Sequence, residues 1–196
     1  MPPMLLADRR CILLNFTSIY AEFYPKIYRY LSHFVGNINA PDLTQAVFLK
    51  VGQSLDSFRG ECSLATWIYR IATNTAYDHT LSSQEKQRKV ELFFDDTTVA
   101  DTLLNTAMPE IEYIRREMND CIRGLVDQLP ENYRTVLLLS EFEEFTNPEI
   151  AEILCLSVDT VKIRLHRARA KLREAMEYHC NFYHDERNEL MCDRKT

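Results

Sequence analysis

The sequence predicts an all-α fold, two small helical domains joined by a flexible linker. Three observations predict it. Only four glycines occur in 196 residues, while leucine, alanine and glutamate are common, which favours helices over a sandwich or a doubly wound sheet. Apolar residues recur at helical spacing on both sides of one polar stretch, roughly residues 82–108. Apolar content of 46% supports packed cores and excludes wholesale disorder.

The elements follow in order. Residues 16–34 carry apolar and aromatic side chains at helical period. Pro25 fits the first turn of a second helix better than a helix interior, and Gly36 ends that helix. "NINAPDL" offers Asn39 as an N-cap and Pro41 near a first turn. In the next helix, about Asp42 to Leu55, the apolar positions Leu43, Val47 and Val51, with Phe48 and Leu55, follow the helical period. "DSFRGECS" is a loop, and Ser63 caps the helix "LATWIYRIATNTAYDH". That helix buries Leu64, Trp67 or Ile68, and Ile71, leaving Arg70, Asn74 and Asp78 in a row. The polar stretch after Ser82, with Asp95, Asp96 and Asp101, reads as a linker. A second helical unit begins near Glu110, with Pro130 and Pro148 at first-turn positions.

Composition excludes several function classes. No apolar run is long enough to span a bilayer, and "MPPMLLADRRCILLNF" lacks a signal-peptide core and cleavage site, so the expected location is the cytoplasm, with no membrane partner. The six cysteines are then expected as reduced thiols, and no CxxC pair occurs. There is no phosphate loop, nucleophile–base signature or HExxH, so no enzyme is expected. The net charge of -6 argues against non-specific coating of DNA, yet "SVDTVKIRLHRARAKLRE" holds six Lys or Arg residues.

That segment closes a helix-turn-helix. A short amphipathic helix, Pro148 to about Leu154, precedes the turn "CLS", and Ser157 caps the second helix. At about 100° per residue, Val161, Leu165, Ala168 and Leu172 share one buried face. Ile163, His166, Ala170 and Glu174 point the opposite way, flanked by Lys162 and Arg169 on one side and Arg164 and Arg167 on the other. A helix in the major groove needs a centre that approaches base edges and flanks that reach phosphates. Ile163 suits a thymine methyl and Arg167 a guanine edge. A solvated basic helix with no ligand is the plainer alternative.

Two separated blocks resemble one family. "DLTQAVFLKVGQSLDSFRGECSLATWIYRIATNTAYDH" is similar to region 2 of a bacterial RNA polymerase sigma factor, and "LDQLPENYRTVLLLSEFEEFTNPEIAEILCLSVDTVKIRLHRARAKLRE" to region 4. Their order, and the absence of other regions, resemble the extracytoplasmic-function type. The resemblance implies region 2 over residues 1–82, a linker over 83–111, region 4 over 112–176 and a tail over 177–196. It implies partners: the clamp helices and flap of core polymerase, promoter DNA single-stranded at the −10 element and duplex at the −35 element, and an anti-sigma factor. Asp42, Leu43, Gln45, Phe48 and Leu49 would bind core polymerase. Arg59, Trp67, Tyr69, Arg70 and Asn74 would meet the −10 strand, where stacking, cationic and amide groups suit a flipped base. Trp67 also reads as a core residue. Thr160, Lys162, Ile163, Arg164, His166 and Arg167 would read the −35 duplex.

The tail "EYHCNFYHDERNELMCDRKT" lies beyond the family's usual end. Cys180 and His184 are one helical turn apart, and with His179 and Cys192 they make a candidate zinc tetrahedron or a thiol switch. The alternative is a helical tail packing Phe182, Tyr183 and Leu190 onto the second unit. No other cofactor is expected. A stand-alone helix-turn-helix regulator with a metal- or redox-sensing tail is the rival reading, and it gives "DLTQAVF" and "TWIYRIATNTA" no role.

Overall fold

The computed structural model describes residues 15–90, 121–184, 188 and 190–194. Two compact units form, Met1–Thr80 and Leu81–Thr196. The acidic linker residues Asp95, Asp96 and Asp101 lie outside the described residues.

The first unit is built from α1 (Phe16–Ser54), a short 3₁₀ turn (Leu55–Ser57) and the start of α2 (Leu64–Val90). Helix α1 is two helical segments meeting at Gly36, whose φ of 71° and ψ of 168° break the helix. That backbone region is open almost only to glycine. Nothing lies within 4 Å of a Cβ placed there, so Gly36→Ala would clash with nothing and would still be strained. It is expected to cost about 1–2 kcal/mol in a urea titration.

The first segment runs unbroken through Pro25, where the sequence suggested a new helix. Pro25 and Ala21 are both exposed, so the carbonyl that proline leaves without a donor faces water. Asn39 is also not an N-cap: its side-chain amide donates to the Val35 carbonyl at 3.3 Å. The second segment folds back on the first. Tyr20 meets Phe48 edge-on at 4.9 Å, and a Cβ at Gly52 would sit 3.3 Å from the Phe16 ring.

Helix α2 is capped as expected, Ser63 Oγ accepting from the Thr66 N–H at 3.0 Å. Its buried face is Ile68, Tyr69, Ala72 and Ala76, while Leu64, Trp67 and Ile71 are half-buried. A buried relay ties α2 to α1: the Tyr30 and Thr73 hydroxyls lie 2.8 Å apart, and Thr73 donates to the Tyr69 carbonyl at 2.7 Å. Helix α2 continues past residue 82 to Val90.

The second unit contains helical residues 121–127 (α3), α4 (Glu131–Leu137) with a π-turn (Leu138–Phe142), α5 (Asn147–Leu154) and α6 (Val158–His179). Thr135 to Leu139 are five consecutive buried residues, so this stretch is enclosed on all sides. Two antiparallel strands follow, β1 (Cys180–His184) and β2 (Leu190–Arg194). The all-α expectation therefore holds for the described residues of the first unit and of the second as far as α6, whereas the tail is a hairpin and not a helix.

The start of α5 is fixed by a capping box. Thr146 donates to Glu149 Oε2 from its hydroxyl at 2.6 Å and from its N–H at 2.9 Å. These two bonds hold the Glu149 carboxyl below its ordinary 4.5 against a smaller opposing effect of burial. Glu149→Ala is expected to cost the second unit about 1 kcal/mol at neutral pH. A depressed carboxyl contributes fully above its unfolded value and loses that contribution as pH falls through the lower folded one. The difference from wild type, followed by denaturant unfolding, should therefore persist at neutral pH and shrink below about pH 4.5.

Candidate nucleic-acid interface

In the second unit the helix-turn-helix is α5, a tight turn and α6. Cys155 makes the turn with φ 53°, a left-handed residue closing α5. Ser157 caps α6, accepting from the Thr160 N–H at 3.2 Å and pairing its hydroxyl with that of Thr160 at 2.7 Å. Val161, Leu165 and Ala168 are buried as the wheel predicts, and Leu172 is half-buried. This anchoring presents Lys162, Ile163, His166 and Arg167 to solvent, with Thr160 and Arg164 half-buried at the edges. Ile163 is 53% exposed, an apolar group held in water at the centre of a basic face.

Two cations on this face are already paired. Lys162 lies 3.7 Å from Asp159, and Arg169 reaches Glu141 at 2.6 Å through Nη2 and 3.1 Å through Nε. The Arg169 pair was not legible in the sequence, because Glu141 comes from the π-turn. An open concavity of about 300 Å³ between the start of α5 and α6 is rimmed by Asn147, Lys162, His166, Arg169 and Arg173. Its cationic rim suits a phosphate backbone.

In the first unit, Trp67, Arg70, Asn74 and Asp78 form one ridge along α2 at helical spacing. Trp67 and Arg70 are half-buried, and Asn74 and Asp78 are exposed. Phe58, from the loop before α2, tilts against Trp67 with ring centres 5.1 Å apart. Arg59 is exposed on that loop, beside Gly60 at φ 71°. Tyr69 departs from expectation. It is 2% exposed, packed 5.2 Å from the Tyr30 ring, and cannot stack on a base.

The expected polymerase-binding residues divide the same way. Leu43 and Phe48 are buried in the core, whereas Asp42, Gln45 and Leu49 are exposed. Sequence reasoning missed Ile38, which is 82% exposed. Its spacing could have revealed it: Ile38, Asp42, Gln45 and Leu49 fall on one helical stripe that leaves two large apolar groups in water.

The tail residues are not brought together as a metal site. In a strand, Cys180 and His184 stand about 13 Å apart, not one helical turn. His179 ends α6, its ring edge-on to Tyr178 at 4.8 Å. Among the described residues no three His, Cys, Asp or Glu side chains are placed to hold a metal ion. No helix among them is long and apolar enough to cross a membrane.

The family model described as Sigma-70 region 2 matches residues 19–85, and that described as Sigma-70, region 4 matches residues 119–172. The ECF RNA polymerase sigma-E factor of Haemophilus influenzae is 30% identical over 165 residues, 83% of this chain and 87% of the relative. The ECF RNA polymerase sigma factor SigW of Bacillus subtilis is 31% identical over 170 residues, covering 82% and 88%. Among solved structures, the sigma factor RpoE in complex with the anti-sigma factor NepR from Bartonella quintana matches with TM-score 0.66 at 18% identity, covering 83% of this chain and 96% of that one. CnrH in complex with the cytosolic domain of CnrY matches with TM-score 0.58 at 22% identity, covering 83% and 88%.

Proposed function

The chain belongs to the extracytoplasmic-function sigma factors of RNA polymerase, and from that membership we propose how its residues divide the work. It is an alternative sigma factor, which binds core polymerase and directs initiation at chosen promoters. It makes and breaks no bonds itself, and it acts where the polymerase acts, in the cytoplasm.

Residues 1–82 do the work of region 2. The stripe Asp42, Gln45 and Leu49, extended by Ile38, docks on the clamp helices, and burial of two exposed apolar groups supports that reading. Leu43 and Phe48 hold the stripe in place from the core side. The ridge Trp67, Arg70 and Asn74, with Arg59 on the neighbouring loop, takes the unpaired −10 strand. An indole edge, guanidinium groups and a free-facing amide are what an unstacked base and its phosphates require. Residues 112–176 do the work of region 4. Arg167 reads a base edge, Ile163 meets a methyl group, and Lys162, Arg164, His166 and Thr160 position α6 on the −35 duplex. Residues 83–111 connect the two through the polymerase, and the flap receives the second unit. An anti-sigma protein holds the factor inactive, a reading supported by the solved neighbour captured with one.

The observation that carries this assignment is the capped α6, which buries Val161, Leu165 and Ala168 and turns its cations outward. Run-off transcription with bacterial core polymerase and a promoter library tests it. Addition of the chain should yield discrete transcripts that share a spaced pair of elements. Asn74→Ala should slow open-complex formation about tenfold, as a lost polar contact to a flipped base would, while leaving binding to core polymerase unchanged. Absence of binding to core would overturn the function; an unchanged opening rate would overturn the role of Asn74.

A further inference from the structure

Cys180 is the residue at which α6 becomes β1, and at 2% exposure it is the most enclosed free thiol among the described residues. Two other thiols reach it. Strand register pairs Phe182 with Cys192 and Cys180 with Arg194, so Cys192 sits diagonally from Cys180 on the same sheet face. Cys121, on α3, comes within hydrogen-bonding reach of the same sulfur. Burial first, then the charges and hydrogen bonds of Cys121 and Cys192, push the Cys180 thiol up to about 11. Cys180 therefore stays protonated at neutral pH and is not where an oxidant strikes first. Cys121 and Cys192 are only half-buried, so a small oxidant in solvent can reach them.

We propose that Cys121 and Cys180 form a reversible disulfide in response to hydroperoxides, stapling the tail hairpin to α3. The register favours this pair over Cys180 with Cys192. Diagonal cross-strand neighbours have Cα atoms about 7–8 Å apart, beyond the span of roughly 7 Å that a disulfide bridges. Cys121, on a helix, is under no such register constraint. The Cys121 thiolate attacks the peroxide O–O bond, giving a sulfenic acid and an alcohol, or water where the oxidant is hydrogen peroxide. The Cys180 sulfur then attacks the sulfenic sulfur. Hydroxide leaves and takes up the Cys180 proton as water. Two thiols become one disulfide, and the peroxide receives the two electrons. Close placement offsets the weak acidity of Cys180. No residue intervenes between α6 and β1, so the staple would anchor the C-terminal end of the −35 reading helix.

The full chain, reduced and then exposed to hydrogen peroxide, is digested without reductant and mapped by mass spectrometry. The expected product is a Cys121–Cys180 peptide lacking two hydrogens, reversed by dithiothreitol. It should be absent from Cys121→Ser and Cys180→Ser and retained in Cys155→Ser. Oxidised wild type should melt several degrees above reduced wild type. Cys180–Cys192 as the main product, or sulfinic acid at Cys121 without a cross-link, would overturn the proposal. So would zinc that stays with the reduced protein and is lost on Cys180→Ser. Because the cross-link is read on wild type, a variant that misfolds does not decide the outcome. Run-off transcription by the reduced chain, scored separately, keeps the sigma-factor assignment independent of this result.

Discussion

Tyr30→Ala is expected to remove a large share of the first unit's stability. The ring is fully enclosed and packs 5.1 Å from Phe34 and 5.2 Å from Tyr69. Removing such a ring opens a cavity and costs about 3–5 kcal/mol, a large share of the roughly 5–15 kcal/mol that holds a domain together. The hydroxyl is a smaller matter. With the Tyr69 carbonyl taking the Thr73 proton, Tyr30 donates to Thr73 at 2.8 Å. Tyr30→Phe should therefore cost about 1 kcal/mol. Urea unfolding followed by circular dichroism separates the two. If alanine and phenylalanine prove equally mild, the aromatic packing is not what holds α1 to α2.

Arg167→Ala should blunt the dependence of initiation on the −35 sequence. Arg167 is exposed on the outward face of α6, one turn beyond Ile163. A bidentate guanidinium–base contact contributes about 1–3 kcal/mol of discrimination, or roughly 5- to 150-fold. Transcription from an intact promoter should fall by that factor, and transcription from one with a scrambled −35 element should barely change. Arg167→Lys keeps the charge but not the planar fork. A lysine variant as selective as wild type would show that Arg167 contacts phosphate and not a base.

The helix-turn-helix was legible because its determinants are local. Ser157 and the stripe Val161, Leu165 and Ala168 lie within one or two turns of what they control; the capping pair Thr146 and Glu149 is as local but was not read from the sequence. The region 2 face was only half legible. Tyr69, Leu43 and Phe48 sit in segments rich in apolar and aromatic groups, where several faces are plausible cores. Packing of the two α1 segments and α2 decided which face went inside. Pro25 misled because a proline tolerates a helix interior when the unpaired carbonyl is hydrated. The tail was least legible. A Cys–x₃–His spacing reads as one helical turn, yet pairing with residues 190–194 imposed a strand. The thiol that completes the Cys180 cluster is distant in sequence, on α3.

The Arg169–Glu141 and Lys162–Asp159 pairs bear on how this surface exchanges ions. DNA affinity falls with salt because cationic side chains displace condensed counterions from the phosphates. A guanidinium already matched by a carboxylate must trade an internal anion for an external one, so it adds less to that release. The carboxylate it abandons is left facing the polyanion. On the proposed seating of α6 on duplex DNA, Glu141 and Asp159 would compete with the nucleic acid, weakening indiscriminate attraction along the duplex while leaving base-edge contacts untouched. An acidic chain that must tell promoters from many competing sites would gain selectivity by holding its own cations partly in reserve.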